Sequence, residues 1–361
     1  MLGAGDISSS HAPALRAIPE LAEIVAVCDL DIERARALQR QYDVPAAFDR
    51  METMLEQVQP DVVHVLLPPD VHASAAEKCL LAGSHVFVEK PFCLTVEECR
   101  RVQAVAARQR LQIGVNHNAT FTPAFADLLK IIRACRFGAI ENVQVLYSVP
   151  MPGIESAPPT HWMFGGTDRL ILEIGPHPLS ICCRLLGPAL SASTAVSGEL
   201  TLSNGVRFFK NWQTSLVCER GNAQCTLALG AGCLAFGVHL QGEDAQAFVD
   251  VRRNSLQIME KTPYLRIEEM TIGWKNAYSF ATRSWQNFKS FALGAAGLAR
   301  PYQLQTAAIN ASVAAFYRAL AAGRDPRIGA TEGTAVVEAC QMTIDGAYAY
   351  LAQTEGRVVA V

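Results

Sequence analysis

The chain has 361 residues, half of them apolar and 18% charged. At about 150 residues per domain this predicts two domains with sizeable cores and excludes a disordered or coiled-coil chain. A net charge of −3 and the lack of any apolar run near the roughly 18 residues of a membrane helix predict no nucleic-acid partner and no membrane partner.

The chain opens with Gly3-Ala4-Gly5-Asp6-Ile7-Ser8, a G-x-G-x-x-S turn followed by a helical pattern that runs to Ile18. Glycines in such a turn let the backbone approach a pyrophosphate, whose charge the helix N-terminus stabilises. A strand over Glu23–Cys28 ends at Asp29, 24 residues beyond Gly5, where an acidic side chain can hydrogen-bond adenosine ribose hydroxyls. Asp29 is also placed to cap the helix that starts near Asp31. An acid at this position repels a 2′-phosphate, so the expected cofactor is NAD. Nearby Arg34 keeps NADP as the alternative. Only Met1 and Leu2 precede Gly3, so the first strand is expected to be truncated.

Helix and strand signals then alternate. A helix over Asp31–Tyr42 is followed by a strand at Asp61–Leu67, which Pro68-Pro69 ends. A helix over Val71–Ala82 closes at Gly83, and a strand at His85–Val88 ends in Glu89-Lys90-Pro91. Thr95-x-x-Glu98 reads as a capping box for the next helix. A last strand at Leu111–Val115 leads to His117 and Asn118. This order predicts parallel βαβ units, in which ligands sit beyond the carboxyl ends of the strands. Lys90, His117 and Asn118 stand at such ends. His64, inside a buried strand, is expected to be structural.

After about residue 120 the pattern changes. Helices near Pro123–Ala134 and Pro178–Leu186 flank a strand at Asn142–Val149. Six strand-like runs follow between Ser191 and Glu260, separated by turn signals such as Asn204-Gly205. They predict a large, mostly antiparallel sheet. From Asn276 on, the chain reads as helical. Eleven cysteines without a CxxC pair point to reduced thiols in a cytoplasmic protein, and no His/Cys/Asp set has metal spacing.

Glu173 and His177 stand four residues apart, a spacing that shares one helix face. A carboxylate so placed can orient an imidazole and raise its basicity. His161-Trp162, just upstream, are candidates for the wall of a substrate pocket.

The motif order GAGDIS, VCDLD, LLPPDVHASAAEKCLLAGSHVFVEKPFCLTVEEC, NHNATFTPAF and LEIGPHPLSICCRLLG resembles the glucose–fructose oxidoreductase/inositol dehydrogenase (Gfo/Idh/MocA) family. The resemblance implies an α/β protein with a Rossmann domain over residues 1–117 and a second α/β domain, over 118–361, for substrate binding and oligomerisation. It implies Gly3, Ala4, Gly5, Asp6, Ile7, Asp29, Arg34, Leu67, Pro68, His72, Glu89 and Lys90 around the cofactor. Lys90, His177 and Glu173 would be the catalytic group. His117, Asn118, His161 and Trp162 would bind substrate. Asp70 stands where the family usually has Asn, and the arginines usual before Phe121 are missing. Glu173 replaces the family's Asp, and Thr167-Asp168-Arg169 its glycine triplet.

The implied activity is hydride transfer between a nicotinamide and a secondary alcohol or ketone of a sugar, sugar derivative or cyclic polyol, with homo-dimers or homo-tetramers expected. An NAD-dependent glycosidase or lyase and a non-catalytic nucleotide-binding regulator share most of these motifs and stay open as alternatives.

Overall fold

The computed structural model describes residues 1–134, 136–151, 161–296 and 304–358. The chain divides into two compact units. One comprises residues 1–118 and 308–338, the other 119–307 and 339–361. Residues 308–338 thus pack with the first unit, although the sequence pattern places everything beyond 117 in the second.

The first unit opens with α1 (Ser8–Arg16) and continues with β1 (Ala26–Cys28), α2 (Ile32–Tyr42), β2 (Ala46–Phe48), α3 (Met51–Val58), β3 (Val62–Val65), α4 (His72–Leu81), β4 (His85–Val88), α5 (Val96–Gln109) and β5 (Ile113–Val115). β1 pairs with β2, and β3, β4 and β5 pair in that order, all parallel. Leu2 joins the two sets by bridging in parallel to both Cys28 and Val65. Leu2 N–H donates to the His64 carbonyl and Leu66 N–H to the Leu2 carbonyl, both at 2.8 Å. Cys28 N–H donates to Met1 at 2.9 Å. Met1 and Leu2 therefore occupy the centre of the sheet, between β1 and β3, and the ladder groups facing them are paired.

Thr95 and Glu98 form the expected reciprocal capping box on α5. Asp31, not Asp29, caps α2, accepting from Glu33 N–H at 3.0 Å. The core of this unit joins Leu15, Val27, Leu38 and Phe87 to Ile309, Val313 and Phe316 from the returning segment. Gly114 makes that packing possible: a Cβ there would lie 2.4 Å from Phe316 and 2.7 Å from Phe87.

The second unit contains α6 (Pro123–Arg133), β6 (Ile140–Val149), α7 (Thr167–Ile174), α8 (Pro176–Leu186), β7 (Ala189–Thr201), β8 (Arg207–Cys218), β9 (Gly221–Leu229), β10 (Ala235–Gly242), β11 (Ala245–Asp250), β12 (Ser255–Glu260) and α9 (Leu265–Ala295). Helices α10 (Leu304–Ala321) and α11 (Ala330–Val358) close the chain. The seven strands lie in the order β12-β11-β10-β6-β9-β8-β7. Only β6 and β9 are parallel. Burial alternates along β8 and β9, with Trp212, Leu216, Ala223, Cys225 and Leu227 packed inward, as a sheet with one covered face requires. Helix α9 begins at Leu265, eleven residues before the sequence pattern turns clearly helical.

Candidate active site

The Gly3–Ile7 turn leaves the central strand position and enters α1. Gly3 has φ +101° and a Cβ there would lie 2.4 Å from the Leu66 carbonyl oxygen, so neither its conformation nor its surroundings admit a side chain. Gly5 faces open space, with nothing within 4 Å of a built Cβ. The turn itself takes up the first N–H groups of α1: Ser8 N–H donates to the Gly5 carbonyl at 3.0 Å, Ser9 N–H to Asp6 at 3.2 Å and Ser10 N–H to Ile7 at 3.0 Å. Asp29 fixes the turn: its Oδ2 accepts from Ala4 N–H at 2.8 Å and its Oδ1 from Asp31 N–H at 2.9 Å. Each carboxylate oxygen keeps acceptor capacity for a further donor. This cradle fits a dinucleotide: bare backbone at Gly5, the positive end of the α1 dipole behind the turn and a fixed acid at the end of the next strand. Arg34 is exposed on the surface of α2, 3.6 Å from Asp31.

Glu89 and Lys90 leave the carboxyl end of β4. Glu89 is buried. Its Oε1 accepts from His11 Nε2 at 2.7 Å and from Asn116 Nδ2 at 2.5 Å, and its Oε2 accepts from Lys90 N–H at 3.2 Å. Burial drives its pKa upward, but the hydrogen bonds and charges of His11, Asn116 and Lys90 outweigh that and bring it to about 2. His11 Nδ1 meets His64 Nδ1 at 2.9 Å, and His64 Nε2 meets the Tyr317 hydroxyl at 3.0 Å. Burial, then the neighbouring His11, hold His64 well below its ordinary pKa. The Tyr317 hydroxyl and the two imidazoles thus form one buried chain of hydrogen bonds that ends on the Glu89 carboxylate.

His72 is fully buried between two carbonyls, 2.8 Å from Pro91 and 2.7 Å from Leu67. Burial lowers its pKa, opposed by both backbone hydrogen bonds. Its two ring nitrogens tie the Leu67-Pro68 loop to the segment after Lys90, a clamp between loops. His117 is buried too, and desolvation pulls its pKa down to about 4, with Glu89 acting in the opposite sense. It is neutral at pH 7. Asn118 begins a 3₁₀ turn to Phe121.

In the second unit, Glu173 lies in the last turn of α7 and His177 in the first turn of α8. Gly175 separates the two helices in a helical conformation, and a Cβ there would lie 2.5 Å from the Ile171 carbonyl. The predicted single helix face is thus shared by two consecutive helices. Glu173 Oε2 accepts from the Trp162 indole N–H at 3.0 Å. His177 meets the Tyr147 ring edge-on, with centroids 5.9 Å apart. His161 is exposed and its Nδ1 faces Met163 N–H at 3.4 Å, starting the short 3₁₀ turn that carries Trp162. Among the described residues no cluster of three His, Cys, Asp or Glu side chains is arranged for a metal ion.

Sequence reasoning misses His11, Asn116 and Tyr317. His11 follows the glycine turn and Asn116 precedes His117, so both sit beside signals already read. Tyr317 lies 253 positions from His64 and has no local signal at all.

The oxidoreductase family with an NAD-binding Rossmann fold, GFO_IDH_MocA, matches residues 1–117. D-apiose dehydrogenase of Paraburkholderia graminis is 31% identical over 204 residues, 55% of this chain and 52% of that protein. The chain spans about half the length of the curated relatives it matches. In fold it is similar to UDP-N-acetylglucosamine 3-dehydrogenase from Acidithiobacillus ferrooxidans, with a TM-score of 0.72 and 20% identity over 97% of both chains. It is also similar to levoglucosan dehydrogenase in complex with NADH and levoglucosan, with a TM-score of 0.76 and 18% identity over 97% of this chain and 96% of that one. Among the described residues no helix is long and apolar enough to cross a membrane.

Proposed function

We propose that this chain belongs to the Gfo/Idh/MocA oxidoreductase family, whose model matches residues 1–117, and is an NAD-dependent dehydrogenase acting on a secondary alcohol of a sugar, sugar derivative or polyol. One observation carries the reading. The glycine turn, Asp29 and Glu89-Lys90 all stand at carboxyl ends of strand positions in one parallel sheet, where such sheets bind ligands. The named relatives act on apiose, on UDP-N-acetylglucosamine and on levoglucosan, which supports a sugar-like substrate.

Gly3, Ala4, Gly5, Asp6 and Ile7 form the turn that holds the pyrophosphate, with the Gly3 and Ala4 N–H groups spent on the Cys28 carbonyl and on Asp29 to fix its shape. Asp29 takes the ribose hydroxyls and excludes a 2′-phosphate. Bound NAD supplies the hydride acceptor. Lys90, fixed at its backbone by Glu89, hydrogen-bonds the reacting hydroxyl and stabilises negative charge on its oxygen. His177 takes the hydroxyl proton, and Glu173, braced by Trp162, orients that imidazole. His117, Asn118 and His161 contribute to the substrate pocket. The buried thiols and the single exposed cysteine described, Cys233, suit a reducing cytoplasm. A homo-dimer or homo-tetramer is the expected working form.

The experiment is a panel of sugars, sugar nucleotides and polyols incubated with NAD⁺ and with NADP⁺, reading absorbance of the reduced nicotinamide. Reduction of NAD⁺ by at least one of these classes is expected. No reduction by any of them, with NAD⁺ bound tightly, overturns the dehydrogenase reading.

A further inference from the structure

The hairpin turn between β11 and β12 presents an arginine that the fold does not use. Two arginines stand side by side in it. Arg253 is neutralised: its backbone N–H donates to Asp250 Oδ1 at 2.9 Å and its guanidinium to Asp250 Oδ2 at 2.7 Å. Arg252 is exposed, and among the described residues its guanidinium has no hydrogen bond and no ion pair. The backbone on both sides of it is tied down. Val251 N–H donates to the Phe236 carbonyl at 2.8 Å. Asn254, buried and at φ +53°, accepts from Ala124 N–H at 2.9 Å through Oδ1. The Arg253 carbonyl accepts from Asn287 Nδ2. A side chain on a turn held this way has less freedom to lose on binding.

The turn lies at the end of the sheet where His177 stands. Phe236, whose carbonyl holds Val251, pairs with Tyr147 across β10 and β6, and the two rings are 4.5 Å apart. Tyr147 shares the parity of the buried Val143 and Val145. Their face of the sheet is the one α8 packs against, and the Tyr147 ring meets His177 there, with centroids 5.9 Å apart. Burial pushes the pKa of the Tyr147 hydroxyl up; the charge of Arg252 opposes that rise and the charge of Glu173 adds to it. One half-buried ring therefore touches the imidazole and feels both the free guanidinium and the Glu173 carboxylate.

We propose that Arg252 recognises an anionic group, a carboxylate or a phosphate, on the sugar-like substrate whose hydroxyl His177 deprotonates. This names the substrate class of the site proposed above and rests on that reading. The class is an acidic sugar derivative, a sugar acid or a phosphorylated sugar, in preference to a neutral sugar or polyol. The chemistry of the side chain fits. A guanidinium presents a planar fork of donors that a carboxylate or phosphate meets with two parallel hydrogen bonds. Arg252 carries this fork without an internal acid to displace, whereas a substrate anion at Arg253 would have to displace Asp250. Tyr147 offers its ring to the apolar face of the sugar. Glu173 is engaged by the Trp162 indole N–H at 3.0 Å, which leaves Arg252 as the group that receives the substrate's charge.

Titration calorimetry and steady-state kinetics on the full chain with NAD⁺ test this. The probes are D-glucuronate, glucose 6-phosphate and UDP-glucose, with glucose as the neutral counterpart, and the proteins are wild type, Arg252→Ala and Arg252→Lys. Wild type is expected to bind at least one of the three anions more tightly than glucose. Arg252→Ala should lower that preference about 10–100-fold, the range for a hydrogen-bonded charged contact, mostly through KM where the probe is turned over. Arg252→Lys, which keeps the charge and loses the fork, should recover part of it. A preference for glucuronate assigns the group to a carboxylate, and one for glucose 6-phosphate or UDP-glucose to a phosphate. Should Arg252→Ala fold poorly, Arg252→Gln removes the charge at nearly constant size and gives the same reading. Anions that bind Arg252→Ala as tightly as wild type, or a wild type that binds none of the three, overturn the role of Arg252 and leave the dehydrogenase reading intact. Arg252-dependent anion binding, with no reduction of NAD⁺ across the wider panel of sugars and polyols, counts against the dehydrogenase reading alone.

Discussion

His11 Nε2 lies 2.7 Å from Glu89 Oε1, and both side chains are buried. The contact ties the first turns of α1, just behind the glycine loop, to the residue before Lys90. Breaking a buried charged contact by removing one partner leaves the other desolvated and unpaired, which costs about 3–5 kcal/mol. His11→Ala is therefore expected to destabilise the chain on that scale, read as a lower urea midpoint. It should also weaken NAD binding, because it loosens the loop and Glu89 together.

The same carboxylate sets an acid limit. Glu89 titrates at about 2 in the folded chain, below its ordinary 4.5. A depressed carboxylate pKa contributes stability that is fully present above the unfolded value and lost as pH falls through the folded one. The loss spans pH 4.5 to about 2 and totals roughly 3 kcal/mol. Urea midpoints measured across that window should fall more steeply for wild type than for Glu89→Gln. Equal slopes would mean Glu89 is not held ionised.

Asp29→Ala removes two acceptors at once, for Ala4 N–H and for Asp31 N–H. Hydrogen bonds to charged groups contribute about 1.5–3 kcal/mol each, so NAD affinity should fall at least about 10-fold. The preference for NAD over NADP should shrink as well, because the charge that repels a 2′-phosphate is gone. Fluorescence titration with both cofactors decides this. Unchanged selectivity would remove Asp29 from cofactor choice.

Gly114 sits in β5 with Phe87 and Phe316 closing over it. Neither ring can retreat without opening the core they share. Gly114→Ala is expected to lower stability by about 1–3 kcal/mol, the usual cost of overpacking, and to lower the melting temperature with no direct effect on the site in the second unit.

Much of this architecture was legible because the signals are local. The β4 strand His85–Val88 is a four-residue apolar run ending in Glu89-Lys90-Pro91, and the structure has it at those bounds. The capping box of α5 needs only Thr95 and Glu98. The strands β7 to β12 announce themselves by alternation and turn residues. What stayed hidden is non-local or unpatterned. β2 is Ala-Ala-Phe, too short and too poor in β-branched residues to read. Met1-Leu2 finds a strand position only because β1 and β3 supply ladders on both sides. The hydrogen-bond chain to Glu89 depends on Tyr317, which the returning α10 delivers.

The acid–base group gives the sharpest test of the reaction. His177→Ala should reduce kcat/KM by about 10²–10⁴-fold, the range for a positioned proton acceptor. It should leave NAD affinity unchanged, because the glycine loop and Asp29 belong to the other unit. Lys90→Met should lower both the rate and the cofactor affinity, since Lys90 follows Glu89 directly at the cofactor end of β4. Glu173→Gln should cost least, because the amide oxygen can still accept from Trp162. The charge is lost, however. A carboxylate beside an imidazole stabilises its protonated form and raises its pKa. Without it, His177 reaches its base form at lower pH, so the rising limb of the oxidation pH profile should move to lower pH. Steady-state kinetics of the three variants across pH measure each of these effects. A limb that moves upward, or does not move, would detach Glu173 from His177, and near wild-type turnover in His177→Ala would remove the proposed base altogether.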